Sequence, residues 1–322
     1  YYKLASDQND IGSQINLGCI YLSGNYVPID TEKAIYYFKL AANQNNPLAQ
    51  YNLGLYFYQT KNDYANAFHY FSLADKNKYE PAQYLLGVFY ENGYYVKKDT
   101  NKSIYYYLLA AKKVADAQCK LGNIYKNGTL VKKNINRAIH YYSLAANQNN
   151  SEAQYKLGLI YFKHENLNKI TYGINLLVKA SMNGNIIAHF ILGYIYQEGK
   201  YIIRDIKKSI YYYKEASSFN NVYAKNNLGV TYKIGFGDET NQNTAAAIEY
   251  FNEAIRLGNN KIAMYNLSII YLYDESVGIN IDKSIELLVR SLDIFCFPFI
   301  ELLSLALIKK YDLKISTKDI KY

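Results

Sequence analysis

The chain has no tryptophan, two methionines, four prolines and three cysteines among its 322 residues. Each scarcity removes a class of structure. Cys19, Cys119 and Cys296 are odd in number and far apart, so they form neither a disulfide framework nor a paired metal site. Buried free thiols of this kind fit a reducing compartment, and the expected setting is cytoplasmic. His-x-x-x-His and Cys-x-x-Cys spacings are absent, which removes the common zinc motifs. The most apolar run, Ile294–Ile308, is interrupted by Pro298 and Glu301. It is too short for a membrane span. No secretory signal is read at the start. The opening "YYKLAS" reads instead as the end of a helix already under way, so a piece of a longer array is expected.

What is abundant is tyrosine, at 39 residues, with 13 phenylalanines. Half the residues are apolar, enough for a sizeable core. Net charge is +9, from 36 basic and 27 acidic residues. Such a balance is compatible with an acidic protein, anionic headgroups or nucleic acid. A compositional bias toward lysine is the plainer account.

The chain repeats itself. "KAIYYFKLAANQNN" from Lys33 and "RAIHYYSLAANQNN" from Arg137 are nearly the same phrase. A Leu-Gly pair recurs at Gly18, Gly54, Gly87, Gly122, Gly158, Gly193 and Gly229, every 33 to 36 residues; an eighth copy carries Ser268. A period of this size marks a stacked-repeat architecture.

Each unit carries two helical patterns. The first reads Ala-Gln-Tyr-x-Leu-Gly-x-x-Tyr, as in "AQYNLGLYF" from Ala49. Ala, Leu and the aromatic lie four residues apart and share one helical face. Glycine inside a helix costs about 1 kcal/mol relative to alanine, so its recurrence predicts close approach of a neighbouring helix. The second pattern reads Ala-Ile-x-Tyr-Tyr-x-x-Ala-Ala, as in "AIYYFKLAA" from Ala34 and "SIYYYLLAA" from Ser103. It predicts rings packed over small residues of the adjoining helix.

Punctuation agrees. A Gly-x-x-Val-x-x-Asp loop separates the two helices, as in "GNYVPID" from Gly24 and "GYYVKKD" from Gly93. Asp30, Asp99, Asn134 and Asp205 are expected to cap the second helix. Asn45, Asn149, Gly184 and Gly258 are expected to take the left-handed conformation that ends it.

These units resemble the Sel1-like repeat family, relatives of the tetratricopeptide repeats. The resemblance implies an all-α fold, a right-handed α/α superhelical solenoid of about eight helix-turn-helix repeats. The array is expected over 1–310, with a partial repeat at 1–12, a partial helix after 293, and a polar tail at 311–322. The resemblance further implies a non-catalytic scaffold or adaptor for protein–protein interactions, in signalling or protein quality control. Two other readings stay open: an anionic-surface or nucleic-acid binder, and the repeat segment of a larger enzyme such as a kinase.

No catalytic, cofactor or metal residues are identified, and no cofactor is expected. His69 and His140 replace a tyrosine of the second pattern, and His189 replaces the glutamine of the first. "IGFGDE" from Ile234 lacks the Gly-Lys-Ser/Thr end and the preceding strand of a phosphate loop.

Two surfaces are candidates for binding. One is the first-helix column Gln50, Gln83, Gln118 and Gln154, with Asn52, Lys120 and Lys156 two residues on. The resemblance puts these helices on a concave face, where amides could hold an extended protein or peptide backbone. The same amides could equally bridge adjacent repeats. The other is a basic ridge of loop residues, Lys97, Lys98, Lys132, Lys133, Arg204, Lys207 and Lys208. Ordinary solubilising charge is its plainer reading.

Overall fold

Side-chain caps begin most of the helices, although Tyr79 and Val114 precede the helices Glu80–Asn92 and Ala115–Asn127 without one. A computed structural model describes residues 1–128, 131–235, 242–291 and 297–311. Two compact units divide at Leu157 and Gly158. The first holds α1 (Tyr2–Asp7), α2 (Ile11–Ser23), α3 (Thr31–Asn43), α4 (Pro47–Gln59), α5 (Tyr64–Lys76), α6 (Glu80–Asn92), α7 (Thr100–Ala110), α8 (Ala115–Asn127) and α9 (Ile135–Asn147). Helix α10 (Ser151–Phe162) runs through the division. The second unit holds α11 (Leu167–Met182), α12 (Ile186–Glu198), α13 (Ile206–Ser218), α14 (Val222–Ile234), α15 (Thr244–Gly258), α16 (Lys261–Tyr273), α17 (Ile281–Ser291) and α18 (Phe297–Tyr311). No strand occurs among the described residues. Consecutive helices pack as pairs, α2 on α3 and α4 on α5 in the first unit, α12 on α13 and α14 on α15 in the second. The fold is a helical repeat solenoid of about eight repeats.

The second helices begin as the punctuation predicts. Asp30 Oδ1 accepts from Lys33 N at 2.9 Å, Asp99 Oδ1 from Lys102 N at 3.0 Å and Asp205 Oδ1 from Lys208 N at 2.8 Å. Asn134 accepts likewise from Arg137 N at 2.9 Å. Asp63, Asn166, Asn243 and Asn280 cap the other four repeats although their loops depart from the Gly-Val pattern. Each such cap is worth about 1 kcal/mol.

The duplicated "NQNN" is a complete junction between repeats. Gln44 follows the helix end, Asn45 turns left-handed at φ 61°, and Asn46 caps α4 through Leu48 N and Ala49 N. Asn149 and Gly184 turn left-handed in the same way. Gly258 does not. It stays helical, and Asn259 takes the turn at φ 47°. The physical reason is one extra residue between Ala254 and its capping Asn260, compared with Ala41 and Asn46.

The core explains the repeat glycine. In each second helix three consecutive positions after Ile have different fates. The first is exposed, as at Tyr36, Tyr105 and Tyr211. The second stacks on the tyrosine that follows the repeat glycine: Tyr37 on Tyr21, Tyr106 on Tyr90, Tyr141 on Tyr125 and Tyr212 on Tyr196. The third is buried against the glycine itself. A Cβ on Gly122 would stand 2.5 Å from Tyr142, and one on Gly193 2.5 Å from Tyr213. The close approach is therefore a ring of the same repeat lying on bare backbone, whereas the expectation from sequence set the rings over alanines.

Where that third ring is tyrosine, a polar side chain of the first helix meets its hydroxyl. Tyr107 donates to Glu91 Oε2 at 2.5 Å, Tyr142 to Asn123 Oδ1 at 2.7 Å and Tyr213 to Gln197 Oε1 at 2.8 Å. A buried hydroxyl needs such a partner. Phe38 and Phe71 occupy the slot in the first two repeats, whose first helices carry Leu22 and Tyr58 where α6 carries Glu91.

Candidate functional site

The glutamine column lies inside the junctions. Gln14, Gln50, Gln83, Gln118 and Gln154 are all buried. Gln50 Nε2 donates to the Ala42 carbonyl at 3.4 Å, Gln118 Nε2 to that of Ala111 at 2.7 Å, and Gln154 Nε2 to that of Ala146 at 3.2 Å. Gln83 Nε2 donates to Asp75 Oδ1 at 2.9 Å. Gln148 Nε2 in turn donates to Gln118 Oε1 at 2.9 Å, as Gln44 Nε2 does to Gln14 Oε1 at 3.0 Å. Gln50, Gln83, Gln118 and Gln154 thus tie each repeat to the one before it, and Gln44 and Gln148 brace the column within their own repeats. Gln14 Nε2 and Gln50 Oε1 are buried without a partner, and a peptide backbone would reach the bonded amide groups only by displacing those bonds.

The column two residues on is accessible. Asn52, Lys120 and Lys156 are half-buried. Lys156 pairs with Glu152 on its own helix at 2.9 Å. Lys120 pairs across repeats with Glu91 at 3.0 Å.

The ridge lysines Lys97, Lys98, Lys132 and Lys133 are exposed in the first unit, as are Arg204, Lys207 and Lys208 in the second. Lys208 pairs with Asp205 at 3.2 Å and sits 5.3 Å from the Tyr196 ring centroid. Lys33, Lys102 and Arg137 cover Tyr21, Tyr90 and Tyr125 in the same way. Part of the basic charge is thus engaged in cation–π contacts on the stacked tyrosines.

Lys98 and Lys120, read from sequence as members of different columns, meet in one cleft of about 220 Å³. Glu91, Thr100, Ser103, Asn123, Ile124 and Asn127 complete its wall. The cleft lies between the third repeat and α8. Burial, and then the neighbouring Glu91 carboxylate, push the Tyr107 phenol well above its ordinary range. Tyr107 therefore stays a donor to Glu91, and Glu91 in turn fixes Lys120.

The same place in the repeat opens again. In the second unit Phe162, Tyr194, Ile195, Glu198, Lys200 and Tyr201 line a cleft of about 220 Å³. At the start of the first unit Tyr2, Asn16, Cys19, Ile20, Ser23, Asn25 and Tyr26 line a wider one. Each uses the first, second and fifth residues after the repeat glycine: Cys19, Ile20 and Ser23; Asn123, Ile124 and Asn127; Tyr194, Ile195 and Glu198. Sequence reasoning passes over the first and fifth positions because their residue types change from repeat to repeat.

The histidines stay apart. His69 and His140 are exposed, each edge-on to the next tyrosine at 5.3 Å. Among the described residues no group of three or more His, Cys, Asp or Glu could hold a metal ion. Cys119 is buried, and burial pushes its thiol up to about 12. Cys19 is exposed, contrary to the expectation of buried thiols. No described helix is long and apolar enough to cross a membrane. Cys296, the tail 312–322 and most of "IGFGDE" lie outside the described residues.

Helical pairs joined through side-chain amides, with recurrent notches between them, define a repeat scaffold of the tetratricopeptide-like class. The Sel1 repeat profile matches residues 11–46, 47–74, 80–113, 115–150, 151–185, 186–218, 222–259 and 261–293, so the chain belongs to the Sel1 repeat family. It is similar to c5321 of uropathogenic Escherichia coli, a protective antigen with this fold. That match has 25% identity and a TM-score of 0.81, over 96% of this chain and 67% of that one. A Sel1 repeat protein from Oxalobacter formigenes is similar at 21% identity and a TM-score of 0.62, over 94% and 88% of the two chains. Comparison with curated proteins returned no match. Folds of this family are typically non-catalytic scaffolds for protein interaction.

Proposed function

We propose that the chain is a non-catalytic adaptor that holds an extended segment of a partner protein on its first-helix face. The observation that carries this reading is the recurrence of the notch at one repeat position with different chemistry each time. A regular backbone supplies the spacing, and the variable residues supply the choice of side chain. Lys120 lines the α8 notch as a polar contact, and Asn52 and Lys156 hold the equivalent place in their own repeats. The face would be concave in an array of this kind. Free Cys19 and Cys119 suit a reducing, cytoplasmic setting, in signalling or protein quality control.

Selection of random peptides displayed on phage tests the reading. Enriched peptides should share a spaced motif. Their binding should fall when Asn16, Lys120 or Tyr194 is replaced by alanine while helix content by circular dichroism is unchanged. Absence of any enriched motif, or enrichment indifferent to all three replacements, would contradict it.

A further inference from the structure

The cleft between the third repeat and α8 is built to donate hydrogen bonds. Ser103 is fully buried and lines the cleft, and beyond a marginal contact with the Tyr107 phenol its hydroxyl has no hydrogen-bond partner. The equivalent Ser209 and Ser284 donate to the Gly193 and Ser268 carbonyls at 2.8 and 3.0 Å. A buried hydroxyl left unpaired costs about 1–3 kcal/mol, and Ala34, Ala67 and Ala138 fill the same slot elsewhere without that cost.

The other polar groups are turned the same way. Asn123 accepts the Tyr142 hydroxyl on Oδ1, which leaves its NH2 as the free end. Glu91, the one carboxylate in the wall, already accepts from Tyr107 and Lys120. Lys120 keeps further N–H donors, and Lys98 stands exposed in the wall. Two cations, two amides and two hydroxyls face one engaged carboxylate.

We propose that this cleft is an oxyanion subsite that takes a carboxylate or phosphate group carried by the partner segment. Charge-assisted bonds from Lys98, Lys120, Asn123 and Ser103 would satisfy such a group. The proposal deepens the adaptor reading and rests on it for the identity of the carrier.

The test uses the whole chain and three probes: acetyl-tetraglutamate amide, tetraglycine with a free C-terminus, and inorganic phosphate. Binding is followed through the Asn123 side-chain amide in 1H–15N spectra, and for variants by calorimetry. At least one probe should give a saturable shift, and the tightest identifies the source as side-chain carboxylate, chain terminus or phosphate. Ser103→Ala should weaken that probe about threefold and Asn123→Asp about tenfold or more, with Lys132→Gln unchanged. Both variants should fold, because alanine is native to the slot of Ser103 and aspartate keeps an oxygen for Tyr142. A thermal melt checks this. No saturable shift from any probe at millimolar concentration, or equal affinity in all variants, overturns the subsite. That failure leaves the adaptor reading standing, since the phage selection judges it independently.

Discussion

The Tyr142 ring lies against Gly122 so closely that a Cβ on the glycine would stand 2.5 Å from ring carbons. The same relation joins Gly18 to Phe38, Gly54 to Phe71 and Gly229 to Phe251. It is the unit of core packing in this chain, and it yields the first prediction. Gly122→Ala gains about 1 kcal/mol of helix propensity but overpacks a buried ring, which costs about 1–3 kcal/mol. We expect net destabilisation in urea unfolding. The eighth repeat pairs Ser268 with Leu288 in the equivalent slots. Gly122→Ser should therefore be partly rescued by Tyr142→Leu, with a favourable coupling in the double-mutant cycle.

Gln118 offers a second test. It donates to the Ala111 carbonyl and accepts from Gln148. Gln118→Leu leaves the buried Ala111 carbonyl unpaired in the junction, while the exposed Gln148 amide can turn to water, and should cost about 1–3 kcal/mol. Lys97→Gln, on an exposed loop, should change stability by no more than about 0.5 kcal/mol. Equal effects of the two would remove the junction role.

Acid should weaken the second unit through Asp274. A hydrogen bond from Lys233, followed by one from Ser276, holds its carboxyl below the usual range. A depressed folded-state pKa contributes stability that is fully present above the unfolded value of about 3.9. That stability is lost as pH falls from there through the lower folded value. Asp274→Asn should flatten the fall in stability below about pH 4 and leave a flatter profile than the parent.

Thiol reactivity should separate the cysteines. In a Cys296→Ser background, Cys19 should react with maleimide in the folded chain. Cys119, buried and with its thiol pushed up to about 12, should react only once the chain unfolds. Mass spectrometry before and after denaturant reads the result. Rapid native labelling of Cys119 would contradict the packing of α8.

Much of the fold is legible in the sequence because it is written eight times. The glycine column, the capping Asp30, Asp99, Asn134 and Asp205, and the Asn45 and Asn149 turns each follow from local stereochemistry. The side chain that fills the space over the glycine, a ring in most repeats but Leu177 over Gly158, is not legible as such, since neighbouring aromatics look alike until packing gives them different exposures. The glutamines show the same limit. An amide every repeat suits a peptide ladder and a junction bridge equally, and burial, which the pattern does not encode, puts Gln50, Gln83, Gln118 and Gln154 in the junctions. The cleft itself is less legible. Asn123 and Asn127 carry no periodic signal, Ser103 occupies a column of small residues that reads as packing alone, and Lys98 and Lys120 are brought together only by the stacking of one repeat on the next.

Amide hydrogen exchange with a phage-selected peptide bound tests the adaptor account most directly. New protection should fall on first helices beside a notch within one unit, α6 and α8 in the first or α12 in the second, and spare the outer tyrosine positions of α3, α7 and α13. Protection confined to those second helices, or none anywhere at saturating peptide, would contradict it.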